Sequence, residues 1–443
     1  MKTFRAALAN SMAAYFVNTF IWFAVTFWVY LETRSVIATS IMAGVYSATV
    51  AGSGFFLGTL VDHFPKKTVM QISSIVTFGL YALATVVFVN SPDEAFREVS
   101  SVRLWIFILL ALFGAIAGNL RGIALSTLVT ILIPEDGRDK ANGLVGTVNG
   151  AAFLGASIFS GLAVGYLGLF WVLIIAIVLT GLTIGHLITL SIPKGQTDFH
   201  EKTLSVRARI DLRGTIRVIQ QVPGLFGLIF FTTFNNFIGG ILMSLMDAYG
   251  LNLVSVQVWG ALWGFLSLGF LVGGFIITRW GLGKSPLRTL FIANLISWAI
   301  CSIFTVQASI VLLAAGLFVW VCLVPMVEAA EQTILQKVVP VERQGRVFGF
   351  AQSVEQAASP VTSFLIGPIA QLIFIPFMTT GTGVKLIGDW FGTGPDRGLA
   401  LLFTVAGLIG LIVTLLAMGS SAYRSLSENY QKQDRELSTI NLT

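Results

Sequence analysis

Apolar residues fall in long unbroken runs along this chain, rather than in the alternation of a strand or the single stripe of a surface helix. Hydropathy places the runs at 7–31, 36–61, 68–90, 103–133, 141–167 and 170–192, then, after a polar segment, at 224–250, 255–280, 288–306, 308–337, 345–375 and 398–419. Each is near the ~20 residues that carry a helix across ~30 Å of hydrocarbon. Lipid offers no partner to a free backbone N–H or C=O, so only helices or a closed barrel can span it. Continuous runs exclude the barrel. The pattern predicts an all-α integral membrane protein with twelve transmembrane helices, referred to below as spans 1–12.

Composition agrees: 55% of the 443 residues are hydrophobic, 11% are charged, and the mean hydropathy is +0.85, against roughly 25% charged residues in soluble domains. Lys2 and Arg5 precede the first run, but no small-residue cleavage site closes it. It therefore reads as a span and not as a removed signal. The polar segment 193–222 divides the chain into a six-helix bundle over 1–192 and another over 223–419, with a basic linker between them and a polar, partly disordered tail at 420–443. An even number of spans puts both termini on one side. With the termini inside, 21 Lys/Arg lie on inner segments and five on outer ones, namely Arg34, Arg97, Arg103, Lys385 and Arg397; Arg121 lies within a span. The positive-inside rule then places both termini in the cytoplasm; a bacterial cytoplasmic (inner) membrane is the expected location, as part of the functional reading below. The net charge of +6 follows from this asymmetry, and no nucleic-acid partner is implied.

The remaining chemistry is sparse. Cys301 and Cys322 sit inside apolar runs, and His63, His186 and His200 are scattered without metal-ligand spacing. No GxxxxGK[ST] loop is present. No nucleophile–base pair can be assembled, so enzyme activity has no support, and no metal or organic cofactor is implied.

The two halves echo each other in their inner loops. LIPEDGRDKANGLVG between spans 4 and 5 matches VVPVERQGRVFGFAQS between spans 10 and 11: proline (Pro134, Pro340), acid (Glu135, Glu342), base (Arg138, Arg346), then glycine. GTLVDHFPKKTVM between spans 2 and 3 faces GGFIITRWGLGKSPLR between spans 8 and 9. Repeated bundles of this kind belong to secondary transporters, with the substrate site at the repeat interface.

Gly58, Asp62, Lys66 and Lys67 resemble the G-x-x-x-D-R-x-G-R-[KR] loop signature of the major facilitator superfamily, with His63 and Pro65 as departures. QKVVPVERQGRVFG, with Pro360 and Gly367-Pro368 after it, and IPFMTTGTG…GDWFGTGPDRG are similar to the macrolide-efflux branch of drug:proton antiporters. The resemblance implies the major facilitator fold, two pseudo-symmetric bundles, and a monomer energised by a proton gradient. It also implies a conformational latch in which Asp62 accepts hydrogen bonds from a helix N-terminus, where the dipole favours an anion.

Ionisable residues in hydrocarbon are costly and mark function by default. Glu328 lies nine residues from Lys337 and Glu355 nine beyond Arg346, both about 13 Å deep at 1.5 Å per residue. Arg121 lies thirteen residues before Pro134, about 19 Å deep. Glu331 is shallower and reads equally as an ion pair with Lys337. Carboxylates that are half-desolvated beside one another cannot all stay ionised cheaply, so Glu328, Glu331 and Glu355 are candidates to carry protons. Arg121 cannot deprotonate in a protein; it is a candidate to bias a carboxylate or to meet an anionic substrate group.

Ser11, Tyr15, Asn18 and Trp22 in span 1, and Thr232, Asn236, Met243 and Asp247 in span 7, each share a helical face. With Trp320 they are candidate lining for a cavity that takes an amphipathic guest; polar glue between helices is the alternative. The reading that results is a proton-coupled exporter of hydrophobic or amphipathic compounds working by alternating access, with the bilayer, protons and a small molecule as its partners. A nutrient importer or siderophore exporter on the same fold, and a transport-inactive receptor or lipid-handling protein, are the alternatives.

Overall fold

The structure, a computed structural model, describes residues 2–133, 138–191, 212–339 and 341–440, with the side chains of 53–63, 138–143, 212–215, 341–346, 433–440 and some single positions outside that description. Among the described residues the regular elements are all helices. Span 1 is Lys2–Thr33, span 2 Val36–His63, span 3 Lys66–Val89, span 5 Arg138–Tyr166 and span 6 Leu169–Thr189. Span 7 is Leu225–Leu253, span 8 Val256–Trp280, span 9 Pro286–Ile303, span 10 Ile310–Val338 and span 12 Pro395–Gly419. Among the described residues eleven helices are long and apolar enough to cross a membrane; the described apolar part of span 2 is Val36–Gly52.

Two spans are interrupted. Span 4 is built from Val102–Ala117 and Asn119–Leu132, broken at Gly118. Span 11 runs over Val341–Ile369, passes through a π turn at Ala370–Phe374 and ends in Ile375–Thr379, beside Pro376. Two surface helices flank the second half: Leu212–Gln221 in the linker and Thr382–Phe391 ahead of span 12. Tight connections join neighbours. Gly168 adopts φ +79 to close the span 5–6 turn, where its N–H and that of Leu167 both donate to Ala163 O, as an αL residue past a helix end does.

The chain forms two compact units. The first comprises Met1–Ser205 with Gly250–Ser267, the second Val206–Tyr249 with Leu268–Thr443. The first part of span 8 joins the first unit because small residues let it approach span 5. A Cβ on Gly161 would stand 2.5 Å from Val256 O and 3.1 Å from Gly260 Cα, and one on Gly260 2.5 Å from Ser157 O. Close backbone approach through small residues is how membrane helices associate without a hydrophobic driving force. Within the first unit span 1 packs on spans 5 and 6, and span 3 on spans 4 and 6. Trp28, Phe88, Phe96 and Phe107 form a cluster of rings with centroids 5.3–5.9 Å apart. Within the second unit span 9 packs on spans 10 and 12.

Two details add to the expectations. Within the polar segment after span 12, Ser421–Ile440 is a helix, docked through Leu426, Tyr423 and Tyr430 onto a core that includes Leu225, Leu287 and Ile334. Arg397 is not a loop cation but the third residue of span 12, 3% exposed.

Candidate functional site

The second unit gathers its carboxyl groups. Span 10 presents Glu328 and Glu331, one helical turn apart, and span 11 presents Glu355. Glu331 lies beside Glu355 and beside Thr232 in span 7, with Glu328 also near. Thr232 Oγ1 is 2.8 Å from Glu355 Oε1, nearer than the carbonyls of Leu228 (3.2 Å) and Ile229 (3.1 Å) that also compete for its one proton. Glu331 Oε1 is buried without a hydrogen-bond partner. Glu331 and Glu355 are half-buried and Glu328 is exposed. Lys337, which the sequence offered as a partner for Glu331, places Nζ 4.1 Å from the Tyr430 ring centroid. Three spans thus contribute two carboxyl groups and a hydroxyl to one small polar contact in an apolar surround.

The first unit holds its buried cation differently. Arg121 is 2% exposed. Nη1 donates to Ser74 Oγ at 2.6 Å, Nη2 donates to Asn10 Oδ1, and Nε is buried without a partner. Asn10 in turn donates from Nδ2 to Thr183 O at 2.9 Å, with His186 Nδ1 at 3.0 Å. These ligands are all neutral. A cavity of about 10 Å³, lined by Asn18, Ser73, Thr77, Thr183 and Arg121 among others, adjoins the guanidinium and has room for about one water.

The break at Gly118 belongs to the same region. Interrupting a helix strands carbonyls that have lost their i+4 donors, and span 3 supplies replacements. Ser73 Oγ donates to Ala117 O at 2.8 Å and Thr77 Oγ1 to Gly114 O at 2.9 Å. Asn18 lies against Gly118 where a Cβ would stand, and accepts a hydrogen bond from Tyr81 Oη at 3.0 Å. Asn18 is therefore engaged inside the first unit by a donor of its own.

The other candidates lie apart from these two groups. Tyr15 is exposed and Trp22 is half-buried, its ring tilted by 37° against that of Tyr46 at a centroid distance of 4.2 Å. Ser11, grouped with them by spacing, is 6% exposed with an unpartnered hydroxyl. In span 7 Thr232 is buried, Asn236 and Met243 are exposed, and Asp247 is half-buried; Trp320 in span 10 is half-buried. The stripe of span 7 thus splits, its inner member joining the acids. Of the loop signature, Gly58 and Asp62 lie outside the described side chains. Lys67 Nζ donates to Leu190 O at 2.6 Å and Ile188 O at 3.0 Å, placing a cation on the C-terminal carbonyls of span 6, where the dipole favours it. Lys66 begins span 3 after Pro65.

Sequence reasoning missed Asn10, Ser74, Thr183 and His186. Their signal was present as polar positions in apolar runs, but on faces that the search for one water-lined stripe passed over.

The chain matches the Major Facilitator Superfamily over residues 7–363, and it belongs to that family. Solved structures share the fold at low identity. A bacterial homologue of the human lysosomal transporter Spinster is 14% identical, with a TM-score of 0.65 and 98% of each chain covered. A bacterial homologue of the iron transporter ferroportin is 14% identical, with a TM-score of 0.66, covering 95% of this chain and 99% of that one. The nucleoside transporter NupG is 12% identical, with a TM-score of 0.66, covering 94% and 99%. No curated protein matches at a significant level.

Proposed function

We propose that this chain is a proton-coupled secondary transporter that exports hydrophobic or amphipathic compounds from the bacterial cytoplasm by alternating access. The observation that carries the reading is the pairing of Glu331 with Glu355 inside the membrane, beside the Thr232 hydroxyl that donates to Glu355 Oε1 at 2.8 Å. Two ionised carboxylates repel and neither can donate, so a hydrogen bond between them requires one proton. Thr232 fixes Glu355 from the side, and the neighbouring Glu328 is exposed, giving a route by which a proton reaches the pair. A site that gains and loses one proton as its access changes is what exchange against protons needs. The resemblance to the macrolide-efflux branch supports the direction and the amphipathic substrate, and exposed Tyr15 and Met243 are suited to such guests. Asp62 supports the latch only through that resemblance.

The test is the purified protein in liposomes under an imposed pH gradient, screened with lipophilic cations, anions and neutral compounds. Glu331→Gln and Glu355→Gln should each abolish uphill movement while leaving downhill counterflow. Uphill transport at the parent rate in both variants would remove the pair from the mechanism.

A further inference from the structure

A groove opens in the second unit where spans 7, 9 and 12 meet the C-terminal helix. It holds about 290 Å³, near the lower end of sites that take small molecules. Its walls are apolar, with Leu228, Phe231 and Phe234 from span 7, Phe291 from span 9, and Val413 and Leu416 from span 12. Only the hydroxyls of Ser420 and Tyr423 bring polar side-chain atoms, both where span 12 passes into the C-terminal helix. Two glycines seat that helix tightly at the groove's end. A Cβ on Gly227 would come 2.7 Å from Ala422 Cβ, and Gly224 at φ +79 packs on Ala422 and Leu426.

The groove opens sideways. Phe230 and Leu416 line it and are also 65% and 69% exposed. Around its mouth Phe226, Ile409, Ile412 and Leu415 are exposed on the same two spans. On a membrane span, a broad exposed apolar face of this kind is covered by acyl chains, because no water is available to wet it. Toward the polar end, exposed cations neighbour the lining residues in sequence. Arg288 follows the lining residue Leu287, Arg424 follows the lining residue Tyr423, and Lys284 stands just ahead of span 9; all three are exposed. Among the described residues none of the three is in an ion pair. Arg424 donates to Gly419 O at 3.1 Å, which anchors its guanidinium at the end of span 12. The acid closest by in the C-terminal helix is Glu428.

We propose that this groove binds an anionic phospholipid, with one acyl chain lying between spans 7, 9 and 12 and the phosphate held at the rim by Arg288 and Arg424. A slot shaped for a chain, open to hydrocarbon and capped by cations at one end, is complementary to both parts of that molecule. The rim lies at the end of the spans that carries the Lys/Arg excess, where anionic lipids concentrate in a cytoplasmic leaflet. Guanidinium groups suit phosphate by their forked donors.

The test uses the purified full-length protein exchanged into mixed micelles of phosphatidylglycerol and phosphatidylcholine at equal mole fraction, read by native mass spectrometry. The parent should retain phosphatidylglycerol in preference. Arg288→Gln with Arg424→Gln should lower that retention about 25-fold, taking about fivefold per cation at an anionic surface. Arg103→Gln with Lys385→Gln, which removes two exposed cations elsewhere, should leave it unchanged. Val413→Phe, which fills the groove, should lower retention of both lipids. Equal retention of the two lipids by the parent overturns the site. So does unchanged retention in the Arg288/Arg424 variant, or an equal loss in the Arg103/Lys385 control. Should Val413→Phe fail to fold, the two surface pairs decide the matter alone.

Discussion

Arg397 offers the sharpest test of how the second unit is held together. Its Nε donates to Phe391 O at 2.6 Å, its Nη2 to Val306 O at 2.6 Å, and its Nη1 lies 3.4 Å from Tyr249 Oη. The guanidinium carbon stands 4.3 Å over the Phe391 ring. One side chain thus ties span 12 to the end of the Thr382–Phe391 helix, to the turn after span 9, and to span 7. Phe391 O is a helix-terminal carbonyl without an intrahelical donor. Hydrogen bonds to a charged group contribute about 1.5–3 kcal/mol each. Arg397→Met, with similar length and no donor, leaves two buried carbonyls unpaired and should cost about 3–5 kcal/mol. At about 2–4 °C per kcal/mol for a unit of this size, the apparent unfolding midpoint should fall by on the order of 10 °C. Arg397→Lys keeps the charge but not the fork and should fall between the two.

The chain carries its own reporter for this measurement. Cys301 is 1% exposed, with Sγ 3.6 Å from Phe403 O of span 12, so it meets a thiol-reactive dye only when spans 9 and 12 separate. Cys322→Ser removes the other thiol and gives a single-site background. If Arg397→Met unfolds within about 2 °C of that background, less than one kcal/mol by the same scale, the clasp contributes little and the reasoning fails.

Three further outcomes follow from the same geometry. Gly161→Leu should prevent recovery of monodisperse protein by size-exclusion chromatography, because its nearest neighbours are backbone atoms of span 8 that cannot rotate away, and overpacking of even ordinary cores costs about 1–3 kcal/mol. Lys67→Ala should lower the unfolding midpoint modestly, by the ~1 kcal/mol of a cation on helix-terminal carbonyls, with Lys67→Arg restoring it; equal midpoints for all three proteins would remove the capping role. Asp62→Asn should reduce transport in the liposome assay with membrane expression intact, as the latch requires, and undiminished transport would count against it.

The spans were legible because lipid leaves a helix no alternative, so a run of the right length needs no finer signal. The break at Gly118 was not, since one glycine in an apolar run looks the same whether the helix continues or stops. What distinguishes it are Ser73 and Thr77, some forty residues away in sequence. The C-terminal helix was concealed by its polar composition, although Tyr423, Leu426 and Tyr430 recur at helical spacing. Counting 1.5 Å per residue placed Glu328 and Glu355 at one level, but depth ignores direction around the helix axis. Glu331, the shallower acid, is the one brought against Glu355. Arg397 was misread because a basic residue beside Gly394 and Pro395 has the composition of a loop.

The two units treat intramembrane charge differently, and the difference follows from the atoms each charge must satisfy. Arg121 has five donors, no acceptor and no accessible neutral form, so it needs acceptors. Asn10 Oδ1 and Ser74 Oγ provide them. With its oxygen committed to Arg121, Asn10 offers N–H to the other side, where Thr183 O accepts at 2.9 Å and His186 Nδ1 lies at 3.0 Å. The guanidinium at the end of that chain is a permanent charge. Glu331 and Glu355 face the opposite shortage: they are acceptors, and the hydroxyl of Thr232 is the donor that spans 7, 10 and 11 bring to them. A hydrogen bond between the two carboxyl groups needs a proton from outside, which is what the proposed coupling would supply. On the proposed reading a variable charge belongs to span 10 and a fixed one to span 4, which occupy equivalent places in the repeat; the second unit's own fixed charge, Arg397, is taken up by the carbonyls of Phe391 and Val306.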